Sequence, residues 1–221
     1  MRNGKLMVAP TVLWLSFFFV VPLLIVVAVS FASRTPYGQV IFDWTLGNYA
    51  RFTETLYLSI FLDTLIVALI TTVLTILLGY PLAYFIAQLP QKWQQPGLIL
   101  VMIPFWINFL IRSYAWVIIL RTQGVLNTIL LKFGLIEQPL QMLYNEVAVM
   151  LGMVYALLPF MVLPIYVSIE QLDHRLLEAA SDLGASPFTA FRKITLPLTM
   201  PGIAAGTILV FISSLGMFVV P

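Results

Sequence analysis

Five long apolar runs dominate the sequence: residues 7–32, 56–89, 98–120, 147–169 and 201–220. A helix needs about 20 apolar residues to cross the hydrocarbon core of a bilayer. Each run meets that length, and only Asp63 and Arg112 place a charge inside one. Charge in lipid is costly, so its exclusion from stretches this long marks them as membrane spans. A helix also satisfies its own backbone hydrogen bonds where no water can. The expected fold class is therefore all-α integral membrane, with five transmembrane helices in one domain over residues 1–221.

Composition limits what the chain does outside the bilayer. Charged residues make up 9% of the sequence, against roughly 25% in ordinary soluble domains. There is no cysteine and one histidine, which excludes a disulfide scaffold and argues against a structural zinc site. A net charge of +2 is too small for a nucleic-acid footprint; the expected surroundings are the lipid bilayer and other proteins.

Arg2 and Lys5 precede the first run, as in a signal peptide, but the run exceeds the roughly 7–15 residues of a cleavable core. An uncleaved helix is expected. With the N-terminus inside, the inner segments hold Arg2, Lys5, Lys92, Arg175, Arg192 and Lys193, and the outer ones hold Arg34, Arg51, Arg121 and Lys132. This excess favours a cytoplasmic N-terminus. Residues 33–55 then form an outer loop with Pro36, Gly38 and Gly47, and residues 125–133 carry apolar residues at helical spacing inside a longer outer connection.

The inner loop at residues 170–198 is the most informative segment. Residues 176–184 predict a short helix: Asp173 caps its start, and Gly184 suits the left-handed position past its end. Leu176, Leu177, Ala180 and Leu183 are expected to form one apolar face. Ser186-Pro187 then restarts a helix, with serine as cap and proline at the first turn. An apolar face on an exposed helix suits a groove on a partner.

Here the sequence resembles a known family. Glu178-Ala179-Ala180, Gly184 four positions later, and Ile194-Thr195-Leu196-Pro197 match the EAA motif of ABC importer permeases. Gly79-Tyr80-Pro81-Leu82-Ala83-Tyr84, Pro104-Phe105-Trp106 and Leu110-Ile111-Arg112-Ser113-Tyr114 are similar to the spermidine/putrescine permeases within that family. The resemblance implies the type I permease fold in a bacterial inner membrane. It implies that Leu176, Leu177, Glu178, Ala179, Ala180, Leu183 and Gly184 form a coupling helix docked on a cytoplasmic ATPase dimer. It also implies a second homologous permease and a periplasmic polyamine-binding protein as partners. A sixth helix is implied as well, whereas the sequence stops at Pro221; a fragment or truncated product is expected.

No cofactor is expected on this chain. The P-loop pattern is absent, since the Gly4-Lys5 pair is followed by leucine, so this chain is not expected to hydrolyse ATP; the resemblance implies that a partner subunit does. His174 and Ser213-Ser214 are too scattered to build an enzyme site. An ion-coupled carrier is the rival from another class; it needs ionisable residues or broken helices near the midplane, and Asp63 and Arg112 are the charges available. Other substrates within the importer class (an iron chelate, an oxyanion, an aminophosphonate) stay open.

Candidate path residues are Asp63, Tyr80, Tyr84, Asn108, Arg112 and Tyr155. Asn108 and Arg112 are expected to share a helix face with Pro104, and aromatic faces hold a passing ammonium by cation–π attraction. Trp14, Trp44, Trp93 and Trp116 read as interface anchors. Gly202 and Gly206 form a small-xxx-small pattern that lets a second helix approach, in this chain or in another permease.

Overall fold

The structure, a computed structural model, describes residues 3–35, 39–143, 145–173 and 175–217. Arg2, Pro36, Gly38, His174 and residues 218–220 lie outside the described residues. Among the described residues, five helices are long and apolar enough to span a membrane: Pro10–Ser30, Thr55–Gln88, Leu110–Lys132, Glu146–Glu170 and Pro187–Leu215. The fold class and the number of spans agree with the apolar runs. The chain divides into two compact units, Met1–Asp63 and Thr64–Pro221.

In the first unit, α1 (Asn3–Ser30) is exposed on all sides through most of its apolar length. A helix that is apolar all round has no polar face to turn to water. The segment expected as an outer loop carries short regular elements among its described residues. Ser33–Arg34 (β1) pairs antiparallel with Val40–Ile41 (β2), placing Ser33 opposite Ile41, and Gly47–Arg51 forms α2. Polar side chains fasten this cap. Asn48 Nδ2 donates to the carbonyls of Ser30 at 3.0 Å and Ala32 at 2.7 Å, and the Ser33 N–H donates to Asp43 Oδ1 at 3.0 Å. The Ser30 carbonyl is one of those that the end of α1 leaves without a helical partner.

Helix α3 (Thr55–Gln88) crosses from the first unit into the second. The second unit continues with α4 (Gln91–Trp106), α5 (Phe109–Leu120), α6 (Val125–Lys132) and α7 (Glu146–Glu170). Its core is built on α7, where Leu157, Met161, Val162 and Ile165 are buried with Tyr80, Ala83 and Ile86 of α3 and Val210 of the last helix. Buried hydroxyls are satisfied locally: Thr72 and Thr75 donate to the carbonyls of Ala68 and Thr71, one turn back. Helix α6 forms at the expected position. Its Asn127, 1% exposed, accepts from Leu140 N–H at 2.9 Å and donates to Leu140 O at 2.8 Å, which ties the following segment back onto it.

The third span departs from expectation. The run at 98–120 is two helices, α4 and α5, separated by extended backbone at Ile107 and Asn108. Asn108 is the cap of α5: its side chain accepts from Leu110 N–H at 2.9 Å. Asn108 and Pro104 therefore do not share a helix; Asn108 stands one turn before Arg112, whose N–H donates to Asn108 O at 3.1 Å, and Pro104 falls outside the expected common face.

After α7 come α8 (Arg175–Asp182), α9 (Pro187–Ala190), a π-helical turn (Phe191–Thr195) and α10 (Leu196–Leu215). The last three run end to end. Pro197 has no N–H, and its ring crowds the carbonyl four residues back. The helix widens just ahead of it, where Leu196 N–H bonds to Phe191 O. Gly202 and Gly206 find their neighbour within this chain: both face α7, at Pro164, Ser168 and Met161.

Candidate functional site

Local chemistry shapes the 170–198 loop. Asp173 Oδ1 accepts from Arg175 N–H at 3.0 Å and opens α8. At its far end Ala185 N–H bonds to Ala180 O, and Gly184 N–H to Ser181 O, each at 2.9 Å. This double closure requires a left-handed residue between them, and Gly184 supplies it at φ +79°. Ser186 then caps α9, accepting from Thr189 N–H at 3.3 Å, with Pro187 in the first turn. The helix spans Arg175–Asp182, and Gly184 lies past its end as expected.

The expected single apolar face is divided. Ala180 is buried at 8% exposure and Leu177 is half-buried, so these two turn toward the bundle. Leu176 is 45% and Leu183 89% exposed, with Glu178 and Ala179 also exposed. A 100° step per residue puts Leu176, Ala179 and Leu183 on one outward ridge and Leu177 and Ala180 on the neighbouring inward one. Phe188, exposed on α9, adds a second outward apolar group beyond the Gly184 corner. The sequence reading did not single it out.

Beneath the loop, the phenols of Tyr80 and Tyr84 lie nearly parallel with centroids 6.5 Å apart. Both meet Phe191 of the π-helical turn edge-on, at 5.8 and 5.7 Å. The Tyr80 hydroxyl pairs with Thr199 Oγ1 at 3.1 Å. Tyr80 is therefore a packed core residue rather than one along an open face. Tyr84 is half-buried and borders a cavity of about 580 Å³ with Gln88, Gln94, Tyr166, Glu170 and Leu177. Phe191, Thr199 and Glu170 were not among the sequence candidates. The only local hint was Pro197, which signals a disturbed helix without naming its partners.

The other candidates lie apart from this cluster. Arg112 is half-buried on α5 and its Nη1 donates to Pro104 O at 3.0 Å, across the break in the span. Tyr155 on α7 packs edge-on against Trp116 of α5 at 5.6 Å. Trp116 is thus half-buried by this contact, whereas Trp14, Trp44 and Trp93 are exposed. Asn108 is exposed at the start of α5, and Asp63 is exposed on α3 as the last residue of the first unit.

No family model matches the chain. It is 44% identical over 216 residues to the spermidine/putrescine transport system permease protein PotB of Haemophilus influenzae, covering 98% of this chain and 76% of that one. It is 46% identical over 214 residues to PotB of Escherichia coli K12, covering 97% and 78%. A solved bacterial alginate ABC transporter, in complex with an alginate pentasaccharide-bound periplasmic protein, shares the fold with a TM-score of 0.65 at 21% identity, over 92% of this chain and 69% of that one. The helical fold and these likenesses define a membrane permease subunit of an ABC importer, a transport protein and not an enzyme. Within that class the chain belongs to the PotB family of spermidine/putrescine transport system permease proteins.

Proposed function

We propose that this permease moves spermidine or putrescine inward across a bacterial inner membrane, with its N-terminus in the cytoplasm. The observation that carries this reading is identity above two residues in five, over nearly the whole chain, to permeases named for those substrates. In this reading the 170–198 loop is the cytoplasmic coupling loop of a single permease domain. Leu176, Ala179 and Leu183, with Glu178 beside them, dock in a cleft of an ATPase dimer that hydrolyses ATP. Leu177 and Ala180 join the helix to the bundle, and Gly184 makes the corner. A second homologous permease completes the channel, and a periplasmic polyamine-binding protein delivers the cargo.

Geometry supports the coupling role. Leu183 stands in the open beside a rigid double-bonded helix end, and α9 leads directly into the last span. Displacement of α8 would reach α10 through the π-helical turn, a kind of helix defect that recurs at functional sites. Of the path candidates, Asp63, Tyr84, Asn108, Arg112 and Tyr155 remain in the proposal; Tyr80 serves as packing.

The test is uptake of radiolabelled spermidine and putrescine in cells lacking their own polyamine importers, supplied with this permease and the subunits encoded beside it. ATP-dependent uptake is expected. Uptake of an oxyanion, an aminophosphonate or an iron chelate in place of the amines would overturn the substrate. Uptake by the permease alone, driven by an ion gradient, would overturn the class of mechanism.

A further inference from the structure

We infer that the cavity under α8 is a binding site for a primary alkylammonium group, on the same side of the membrane as the coupling loop. A partly open cleft of about 580 Å³ lies there among the α3–α4 corner, the last turns of α7, α8, and Thr195 of the π-helical turn. Its chemistry has one sign. Glu170 brings a carboxylate, Gln88 brings an amide, and Tyr84 and Tyr166 bring phenol rings, while no lysine or arginine lines it among the described residues. The Glu170 side chain is exposed, and among the described residues no ion pair engages its carboxylate.

The walls are held in place. Gln94 Nε2 donates to the carbonyls of Ala87 and Leu89, each at 3.0 Å, and its Oε1 accepts from Tyr166 OH at 3.2 Å. Tyr84 is fixed by Tyr80 and Phe191. A site ordered before binding loses little to reorganisation. A single carboxylate with aromatic and aliphatic walls is a poor divalent-metal site, since such ions take six or more oxygens. It suits an amine: the ammonium pairs with Glu170, its methylenes lie on Leu177 and Ile169, and the ring faces add cation–π attraction.

Two sources carry that chemistry, a free polyamine and a phosphatidylethanolamine headgroup. The polyamine source rests on the function proposed above. Leu177 of α8 forms one wall, so an occupied cavity would brace the coupling loop, and accumulated product would slow the transporter from the inner side.

The experiment uses the assembled transporter, without its binding protein, in nanodiscs of phosphatidylcholine and phosphatidylglycerol. Radiolabelled spermidine is titrated onto wild type, Glu170→Gln and Gln88→Lys. Gln88 is exposed, so its lysine variant adds a competing charge without disturbing the core. Saturable binding is expected, weakened about tenfold or more in each variant, as for loss of a hydrogen bond to a charged group. A second preparation in phosphatidylethanolamine nanodiscs identifies the source. Lipid retained by wild type through detergent extraction and lost in Glu170→Gln, with no spermidine bound, assigns the site to the headgroup. Absence of both ligands, or equal binding by all three proteins, overturns the inference. Spermidine uptake by the wild type is measured in parallel. Its absence defeats the proposed substrate alone, because the binding result stands by itself.

Discussion

Gly206 of α10 lies so close to Met161 of α7 that a β-carbon on the glycine would sit 2.8 Å from Met161 Sδ and 3.3 Å from its Cα and O. Met161 is wholly buried and faces Gly79 of α3 on its other side, where an added β-carbon would lie 2.9 Å from Cγ. Three helices thus meet around one methionine slotted against two glycines. Close backbone approach of this kind is the main source of helix association in membranes, where lipid tails remove the hydrophobic incentive.

Alanine at these glycines should cost stability in a set order. At Gly202 the new carbon would meet Ser168 Oγ and, at 2.5 Å, the backbone carbonyl of Pro164, which cannot move without the helix. At Gly79 it would press mainly on the Met161 side chain, which has rotamers to spare. Overpacking costs about 1–3 kcal/mol. Thermal unfolding in detergent should rank Gly202→Ala as the most destabilised, Gly206→Ala next and Gly79→Ala least. A reversed order would show that α7 and α10 are not packed in this way.

Arg112 braces the break in the third span. Its bond to Pro104 O serves a carbonyl in the last turn of α4, where the helix has no further N–H to offer. A hydrogen bond to a charged group contributes about 1.5–3 kcal/mol. Arg112→Leu should speed amide hydrogen exchange at residues 105–112. Tyr114→Leu, at an exposed position on the same helix, should leave it unchanged. Equal exchange in all three proteins would mean that the break holds without the guanidinium.

Tyr80→Phe should be mild. The variant loses the bond to Thr199, but Thr199 Oγ1 also lies 2.8 Å from Thr195 O and 3.2 Å from Leu196 O, so its proton keeps an acceptor. The expected loss is about 0.5–1.5 kcal/mol, with transport retained. A double-mutant cycle with Thr199→Val measures the coupling directly, and a coupling energy near zero would remove this bond from the account of the core. Complete loss of uptake in Tyr80→Phe, with the protein still folded, would return Tyr80 to the substrate path.

What the sequence disclosed was local. The apolar runs predicted the spans because lipid imposes a length on every crossing helix. Asp173, Gly184 and Ser186 could be read as caps because each acts on backbone within a few residues. The break at Ile107–Asn108 was hidden because its signal, an asparagine cap, sits inside an apolar run with no glycine to mark it. Tyr80 and Tyr84 were placed on a common face, but their partners Phe191 and Thr199 lie more than a hundred residues downstream, beyond the reach of any periodicity. The division of Leu176 and Leu183 from Leu177 and Ala180 required knowing which side the bundle occupies. A helical wheel with four apolar residues in two adjacent sectors does not say so.

That division yields the sharpest test of the coupling role. Leu183 is 89% exposed, so Leu183→Ser should change folding stability by no more than about 0.5 kcal/mol. Gly184→Val acts differently. Nothing lies within 4 Å of a β-carbon there, and its cost is left-handed backbone strain of about 1–2 kcal/mol, which should loosen α8 without disturbing α7. If the outward ridge docks on the ATPase, Leu183→Ser loses ATPase co-purification and uptake while membrane abundance and thermal unfolding stay at wild-type values. Gly184→Val should lose uptake with a small drop in stability. If Leu183→Ser keeps both ATPase and uptake, the ridge faces no partner and the loop is only a connection between spans. If it loses them together with membrane abundance, Leu183 supports the fold itself, and the exposure on which the coupling role rests is wrong.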